Sequence, residues 1–361
     1  MPVTVRSFAK INLGLAIGPK RADGFHELRT IYQTVSLHDV LRLKVERGSG
    51  IAIRSADPRV PTNETNTCYR ILERAMAGLK AKGRVVLDID KRLPVQGGLG
   101  GASGNAVTAL IALERALKKR LAGEERLRIA AEVGSDLPLF LIGGTVLGVG
   151  RGEEVYPLPD LPAMPCVIAT PETGVSTPKA FADWDAFVES GAELRLACRD
   201  GGFRAHVGRA EIGSQSQHES LQPSELTSTN PSDRMLELGR VISSWLSGVP
   251  ANKTGRESGV PAGGRGRAET LLLDLVRTGI ENDFETVVFP QHPELRDVKR
   301  VFERAGALYA SLSGSGSAVY GLFQTKDAAE KAAAKLRKQS VPAQVTTTLT
   351  RPQYWKKVGT P

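Results

Sequence analysis

One segment of the 361-residue chain is dense in glycine and runs directly into a helix-like stretch. Glycine lets backbone N–H groups approach an anion closely, and the N-terminus of a helix favours negative charge. A flexible strand-to-helix turn is the alternative, which five glycines and a serine at the helix start disfavour. The segment therefore predicts a binding loop for a nucleotide triphosphate, formed by Pro94, Val95, Gln96, Gly97, Gly98, Leu99, Gly100, Gly101, Ala102, Ser103 and Gly104.

This glycine loop differs from the two best-known phosphate-binding loops. A P-loop requires a lysine followed by Ser or Thr, and the segment contains no lysine. A dinucleotide-binding fingerprint requires a third glycine where Ser103 stands, and no acidic ribose ligand is evident. Both loops are excluded by their defining residues.

Two charged residues could carry out phosphoryl transfer to an alcohol, which needs a carboxylate for the hydroxyl proton and cations for the phosphate charge. Asp136 lies in a Gly-Ser-Asp-Leu-Pro sequence, and Lys10 lies beside an apolar strand-like stretch. An aspartate in such a sequence is typical of a helix start, and a lysine beside a strand is typical of the surface. The spacing alone favours these structural roles.

Three segments together resemble the GHMP kinases. The glycine loop is similar to the second motif of that superfamily, and residues 312–318 (Leu-Ser-Gly-Ser-Gly-Ser-Ala) are similar to its third motif. Residues 8–13 (Phe-Ala-Lys-Ile-Asn-Leu), followed by Arg-Ala-Asp-Gly-Phe-His-Glu-Leu at 21–28, resemble the opening of the diphosphocytidyl-methylerythritol kinase branch. The resemblance covers residues 1–185 closely and 269–325 more loosely. Galactokinase, homoserine kinase and mevalonate kinase lack the Asp-Gly-Phe-His stretch.

The resemblance implies an ATP-dependent kinase of the non-mevalonate pathway of isoprenoid biosynthesis. Its acceptor would be the 2-hydroxyl of 4-diphosphocytidyl-2-C-methyl-D-erythritol. Asp136 would be the catalytic base and Lys10 would support it, while the glycine loop and Mg²⁺ would hold the triphosphate. The residues implied to bind the substrate are Asn12, Phe25, His26, Thr177 and Phe181.

The sequence departs from the family pattern in three places. The family commonly has Tyr where Phe25 stands, so a ring can still stack on the cytosine but a phenolic hydrogen bond is lost. It often has paired serines where this chain has Ser103 and Gly104, which leaves the Mg²⁺ ligands open. Finally, residues 201–266 are rich in Ser, Gly, Gln and Pro, which predicts a loosely ordered insertion with one helix at 235–242.

The elements that must position these residues alternate between strand-like and helix-like patterns. Strands are predicted at 3–8, 11–17, 85–90, 166–169, 318–323 and 344–348. Asn66 is predicted to cap a helix that ends before Gly83. A second helix is predicted at 103–120, where Glu114 and Lys118 would form an i,i+4 ion pair.

The resemblance implies an α+β, two-domain GHMP kinase fold with a left-handed βαβ unit in the N-terminal domain. We expect an ATP-binding domain at 1–162 and a second domain at 163–361, which contains the insertion. A cleft between the two domains would hold the substrates.

Composition narrows the class of protein further. The net charge of +9 favours anionic partners, and the low aromatic content of 5% argues against base-stacking platforms for nucleic acid. No apolar run reaches 18 residues, and the first residues do not form a signal peptide, so we expect a cytoplasmic protein without a membrane contact. We expect a monomer or homodimer. Neither the three cysteines nor the five histidines have the spacing of a metal site.

Two alternatives stay open at this point. The chain could be a GHMP kinase that phosphorylates a different small alcohol. It could also be a non-catalytic nucleotide- or nucleic-acid-binding protein, although such a protein would need neither Lys10 nor Asp136.

Overall fold

The computed structural model describes residues 2–95, 97–190 and 281–359. Gln96 of the glycine loop lies outside the described residues. So do the predicted insertion at 201–266 and its predicted helix at 235–242.

The first layer is a six-stranded sheet of order β3-β4-β2-β5-β6, with β1 paired to β2. Its strands are β1 (Val3–Lys20), β2 (His26–Glu46), β3 (Ile51–Ser55), β4 (Arg84–Asp90), β5 (Thr145–Val149) and β6 (Glu154–Pro157). The two strands predicted at 3–8 and 11–17 form one strand, whose pairing with β2 shifts between Phe8 and Ala9. Because β3 and β4 run parallel and are separated by a helix, they form the βαβ unit for which the resemblance implies a left-handed crossover.

Helices α1 (Thr67–Gly78), α2 (Gly101–Leu117), α3 (Gly123–Val133) and α4 (Leu139–Ile142) pack around the core of this first layer. Asn66 caps α1 as predicted, since its Oδ1 accepts a hydrogen bond of 2.8 Å from the N–H of Cys68. The predicted Glu114–Lys118 pair is wrong. Lys118 ends α2 in a left-handed conformation, and the buried Glu114 instead binds the guanidinium of Arg126.

The second layer is an antiparallel sheet of order β10-β7-β9-β8. Its elements are β7 (Pro165–Ala169), α5 (Thr177–Glu189), α6 (Phe284–Gln291), α7 (Pro293–Arg304), β8 (Tyr309–Leu312), β9 (Val319–Leu322), α8 (Lys326–Lys338) and β10 (Ala343–Thr347). Side chains of β1 and β2, such as Ile11 and Ile31, share a buried cluster with Ile168 and Tyr320 of the second sheet. The two layers therefore meet along β1, which carries both Lys10 and Asn12, and along β2.

The last described helix, α9 (Arg351–Val358), returns to the first layer. The hydroxyl of Tyr354 donates to the carbonyl of Phe140 at 2.7 Å, and the indole N–H of Trp355 donates to that of Ile142 at 2.9 Å. A Cβ at Gly143 would overlap the ring of Tyr354, so glycine is required there. The helix thus fixes α4, which directly follows the segment of Asp136.

These layers confirm the predicted α+β class. The boundary at 162 stays a prediction. Among the described residues, no helix is both long and apolar enough to cross a bilayer.

Candidate active site

The centre of β1 places a buried ammonium group between the two layers. Lys10 is 3% exposed, and its Nζ donates to Oδ1 of Asn12 at 2.6 Å. The amide of Asn12 in turn donates to Oγ1 of Thr30 at 2.7 Å, and that hydroxyl donates to the carbonyl of Gly14 at 2.8 Å. Every acceptor in this series of hydrogen bonds belongs to β1 or β2, so the ammonium group has a fixed position.

Asp136 lies in the turn between α3 and α4 and faces this ammonium. Its Oδ2 is 3.4 Å from Nζ of Lys10, and its side chain is 36% exposed whereas that of Lys10 is 4% exposed. Tyr32, on β2 opposite Asn12, donates its hydroxyl to Oδ1 of Asp136 at 3.0 Å. Burial, and then the charge of Asp136, raise the pKa of Tyr32 well above its usual value. The phenol is therefore neutral and acts as a donor, and the carboxylate is both fixed and accessible to an acceptor hydroxyl.

The glycine loop lies directly against Lys10. The N–H of Lys10 donates to the carbonyl of Leu99 at 3.0 Å. Gly100 has a φ of +67°, and a Cβ there would be 2.9 Å from Cγ of Lys10 and 3.0 Å from the ring of Phe140. Glycine is therefore required at this position both for its backbone conformation and for the close approach of the loop to the lysine.

The helix predicted at 103–120 is α2, which begins two residues earlier, at Gly101 within the loop. Gly100 is its N-cap and has no side chain that could accept from the first turn, so the N–H groups of that turn stay available for another acceptor. Gly104 lies one turn further on, and a Cβ there would be 2.9 Å from the carbonyl oxygen of Phe8 on β1. The start of the helix is thus packed tightly on the strand that carries Lys10.

The third motif braces the glycine loop from the second layer. Oγ of Ser313 donates to the carbonyl of Gly98 at 2.9 Å, and the N–H of Ala318 donates to that of Gly97 at 3.2 Å. Asn282 holds the motif in place, because its Nδ2 donates to the carbonyls of Leu312 at 2.9 Å and of Gly314 at 2.7 Å. The third motif and the glycine loop are therefore in direct contact.

A buried carboxylate fixes the entry to the glycine loop. Asp39 is fully buried and accepts hydrogen bonds of 2.7 Å from Nζ of Lys91 and from the N–H groups of Arg92 and Leu93. It also accepts one of 2.9 Å from Nδ2 of Asn105 on α2. Asp39 thus ties the end of β4 to the helix on the far side of the loop.

Two of the predicted substrate residues stack on one another. The rings of His26 and Phe181 are 4.8 Å apart and nearly parallel, with an interplanar angle of 12°. Nε2 of His26 lies 2.6 Å from Oδ1 of Asp185, one turn after Phe181 on α5. The imidazole is therefore held by a ring on one side and by a carboxylate at one nitrogen.

Two more of the five, Phe25 and Thr177, lie at the edges of the same region. Phe25 is 51% exposed in the turn between β1 and β2, and the guanidinium of Arg151 lies 4.9 Å from the centre of its ring. The hydroxyl of Thr177, at the start of α5, lies 2.7 Å from that of Ser315 in the third motif. The structure does not test the roles of these residues in substrate binding, which stay predictions.

Sequence reasoning missed Tyr32, Asp39, Asn282 and Asp185. A hairpin signal exists at Asp23–Gly24, but a two-residue turn there would pair Asn12 with Val35. The register shifts between Ile17 and Lys20 and between Asn12 and Gly14 place Tyr32 opposite Asn12 instead. The buried carboxylate of Asp39 and the amide of Asn282 carry no such signal, since their partners are distant in the sequence. Within the described residues, no cluster of three or more His, Cys, Asp or Glu could hold a metal ion.

Comparisons with known proteins agree with this geometry. Residues 65–144 match the GHMP kinases N terminal domain, and residues 267–341 match the GHMP kinases C terminal family. The 4-diphosphocytidyl-2-C-methyl-D-erythritol kinase of Solibacter usitatus is 34% identical over 90% of this chain and 82% of its own length. The protein of the same name from Acaryochloris marina is 32% identical over 92% of this chain and 91% of its own length.

Solved structures agree as well. A crystal structure of 4-(cytidine 5'-diphospho)-2C-methyl-D-erythritol kinase is 25% identical, with a TM-score of 0.63 over 96% of this chain and 99% of that one. Homoserine kinase from Cytophaga hutchinsonii shares the fold, with a TM-score of 0.62 at 20% identity over 97% of this chain and 95% of that one. With identity above 30% to relatives that it spans almost completely, the chain belongs to the 4-diphosphocytidyl-2-C-methyl-D-erythritol kinase family of GHMP kinases.

Proposed function

We propose that this kinase transfers the γ-phosphoryl group of ATP to the 2-hydroxyl of 4-diphosphocytidyl-2-C-methyl-D-erythritol. The observation that carries the proposal is the 3.4 Å contact between Lys10 and Asp136, placed directly against the backbone of a glycine loop at a helix start. A protein that only binds nucleotide needs no carboxylate there. The names of the relatives support the choice of acceptor.

The glycine loop suits a triphosphate. The N-terminus of α2 offers backbone N–H donors and a favourable dipole for phosphate oxygens. Gly98 and Gly100 have positive φ angles and leave no space for a Cβ. The absence of side chains there lets the backbone of the loop approach the nucleotide closely. Lys10 lies beneath the loop and adds a fixed positive charge where the γ-phosphate is transferred.

In the reaction, the acceptor hydroxyl oxygen bonds to the γ-phosphorus while the bond from that phosphorus to the β,γ-bridging oxygen breaks, which releases ADP. Asp136 takes the hydroxyl proton, for which its partial exposure leaves room beside its two fixed contacts. Lys10 holds the carboxylate in place and balances the charge of the transferred group. Asn12, which orients the ammonium, lies next to the same acceptor region.

Mg²⁺ is part of the proposal. In kinases it is bound chiefly by phosphate oxygens with one or two protein oxygens, so a dedicated cluster of carboxylates is not required. The hydroxyl of Ser103, in the first turn of α2, is the protein oxygen of the loop that fits this role. The ion would neutralise the charge of the triphosphate.

The cytidine end of the acceptor is assigned to the aromatic side chains around His26. Phe25 and Phe181 offer aromatic faces for the base, and the imidazole offers a hydrogen bond to its polar edge. In this proposal the protein acts on a small molecule in the cytoplasm, as a monomer or homodimer and without nucleic acid.

The test is ADP release from ATP and Mg²⁺ with the cytidyl acceptor, alongside homoserine, mevalonate and galactose. We expect turnover with the cytidyl acceptor alone. Turnover only with another alcohol would refute the roles of Phe25, His26 and Phe181 but not the kinase chemistry. ATP binding without turnover of any alcohol would favour the binding-protein alternative.

Asp136→Asn tests the proposed base. Since the amide cannot take the proton, we expect turnover to fall by at least about 10²- to 10⁴-fold with little change in ATP affinity. Asp297→Asn, on the exposed surface of α7, is the matched control and should behave as the parent. Full activity of Asp136→Asn would remove Asp136 as the base.

A further inference from the structure

The contact between Tyr32 and Asp136 is built into the first layer. Tyr32 is 2% exposed, and its hydroxyl reaches Oδ1 of Asp136 at 3.0 Å from a strand that is 104 positions away in the sequence. Two glycines provide the space for the phenol. A Cβ at Gly148 would be 2.5 Å from its ring, and a Cβ at Gly152 would be 2.6 Å from its hydroxyl. The phenol therefore has one position, and in that position it contacts the carboxylate.

The two oxygens of Asp136 have separate partners. Oδ1 accepts from the hydroxyl of Tyr32, and Oδ2 faces the ammonium of Lys10. A single partner would let the carboxylate rotate about its Cβ–Cγ bond, whereas two partners on different strands fix its plane. Each oxygen keeps lone pairs for a further proton donor.

We infer that Tyr32 is a positioning residue for the phosphoryl-transfer reaction, which holds the carboxylate of Asp136 in its orientation through the hydrogen bond that it donates. This inference rests on the proposed function of Asp136 as the base. None of the three motifs includes Tyr32, and a buried tyrosine on a strand resembles an ordinary core residue.

A Tyr32→Phe substitution leaves the other charges near Tyr32 and Asp136 unchanged. Lys10 faces Asp136 from β1, and Glu153 faces Tyr32 from the turn after β5, where it is paired with Arg151 at 2.9 Å. The phenylalanine ring retains the packing of the tyrosine and removes one hydroxyl. A difference between the two enzymes therefore reports on the hydrogen bond to Asp136.

The experiment is the pH profile of kcat/KM for the acceptor alcohol in the parent and in Tyr32→Phe. A carboxylate that accepts one hydrogen bond fewer takes up a proton at higher pH, so we expect the acid limb to move up by about half to one pH unit. We expect kcat to fall about tenfold because the base is no longer fixed, with KM for ATP unchanged. Tyr156→Phe, a 52% exposed tyrosine on β6, is the matched control and should leave the profile unchanged.

An acid limb of Tyr32→Phe that superimposes on that of the parent would overturn the inference. If Tyr32→Phe does not fold, site-specific 3-fluorotyrosine at position 32 keeps ring and hydroxyl and makes the phenol a stronger donor. The acid limb should then move to lower pH, and an unmoved limb would again overturn the inference. The parent's choice of alcohol tests the proposed function separately, since the same profile can be measured with whichever acceptor it uses.

Discussion

Gly98→Ala should separate the glycine loop from the third motif, the two loops that enclose the proposed nucleotide site. Gly98 has a φ of +72°, and a Cβ there would overlap the carbonyl oxygen of Ser313 while lying 3.0 Å from its carbonyl carbon and 3.1 Å from the carbonyl oxygen of Gly316. All three are backbone atoms, so a rotamer change of a side chain cannot relieve the overlap. One of the two loops has to move.

The expected magnitude has two parts. An alanine at this φ costs about 1–2 kcal/mol from backbone strain alone. The overlap adds about 1–3 kcal/mol, as other overpacked sites do. If the glycine loop holds the triphosphate as proposed, a displacement of about 1 Å in it is expected to lower kcat/KM for ATP by about 10²-fold.

Gly50→Ala separates these parts. Gly50 also has a positive φ, of +92°, but nothing lies within 4 Å of the added Cβ, and the residue is in the turn before β3. It should therefore show the strain without the overlap, and its kinetics should match those of the parent. The assays are denaturant unfolding and steady-state ADP release. If Gly98→Ala had a kcat/KM for ATP within about threefold of Gly50→Ala, the contact between the loops would not position the nucleotide.

Three further predictions concern buried groups. Asp39→Asn should lower the free energy of unfolding by about 3–5 kcal/mol, measured with denaturant, because it leaves the buried ammonium of Lys91 without its partner charge. Tyr354→Phe should cost about 1–3 kcal/mol, because the buried carbonyl of Phe140 loses its donor, while kcat/KM stays at the parent value. Burial raises the pKa of the Cys68 thiol to about 12, so at pH 8 it should resist alkylation, read by mass spectrometry, until the protein unfolds.

Local patterns in the sequence predicted the elements that carry the proposed nucleotide site. The β-branched run at 85–90 forms β4, and the glycine loop opens α2 as expected, because both signals depend only on neighbouring residues. The Asn66 cap was confirmed for the same reason. The spacing of Lys10 and Asp136 in the sequence does not predict that they meet, and only the resemblance indicated it. Their contact depends on how the turn between α3 and α4 packs against β1.

The sequence did not predict which side chains bind to one another across the fold. Glu114 is four positions from Lys118, but its carboxylate is buried and binds Arg126 instead, since the helix ends before that lysine could face it. Tyr32 looks like core until the hairpin register and the Asp136 turn are known together. Such errors arise wherever tertiary packing, rather than helical or strand spacing, decides which side chains meet.

The docking of α9 on α4 has a consequence for how the chain folds during synthesis. Tyr354 and Val358 belong to the same buried core as Phe8 and Phe140, so the first layer cannot bury that core until residues 351–358 have left the ribosome. A nascent chain that ends after β6 would expose an apolar face beside the Asp136 turn. The core of the first layer is therefore completed only after the second layer has been translated, although the first layer comes earlier in the sequence.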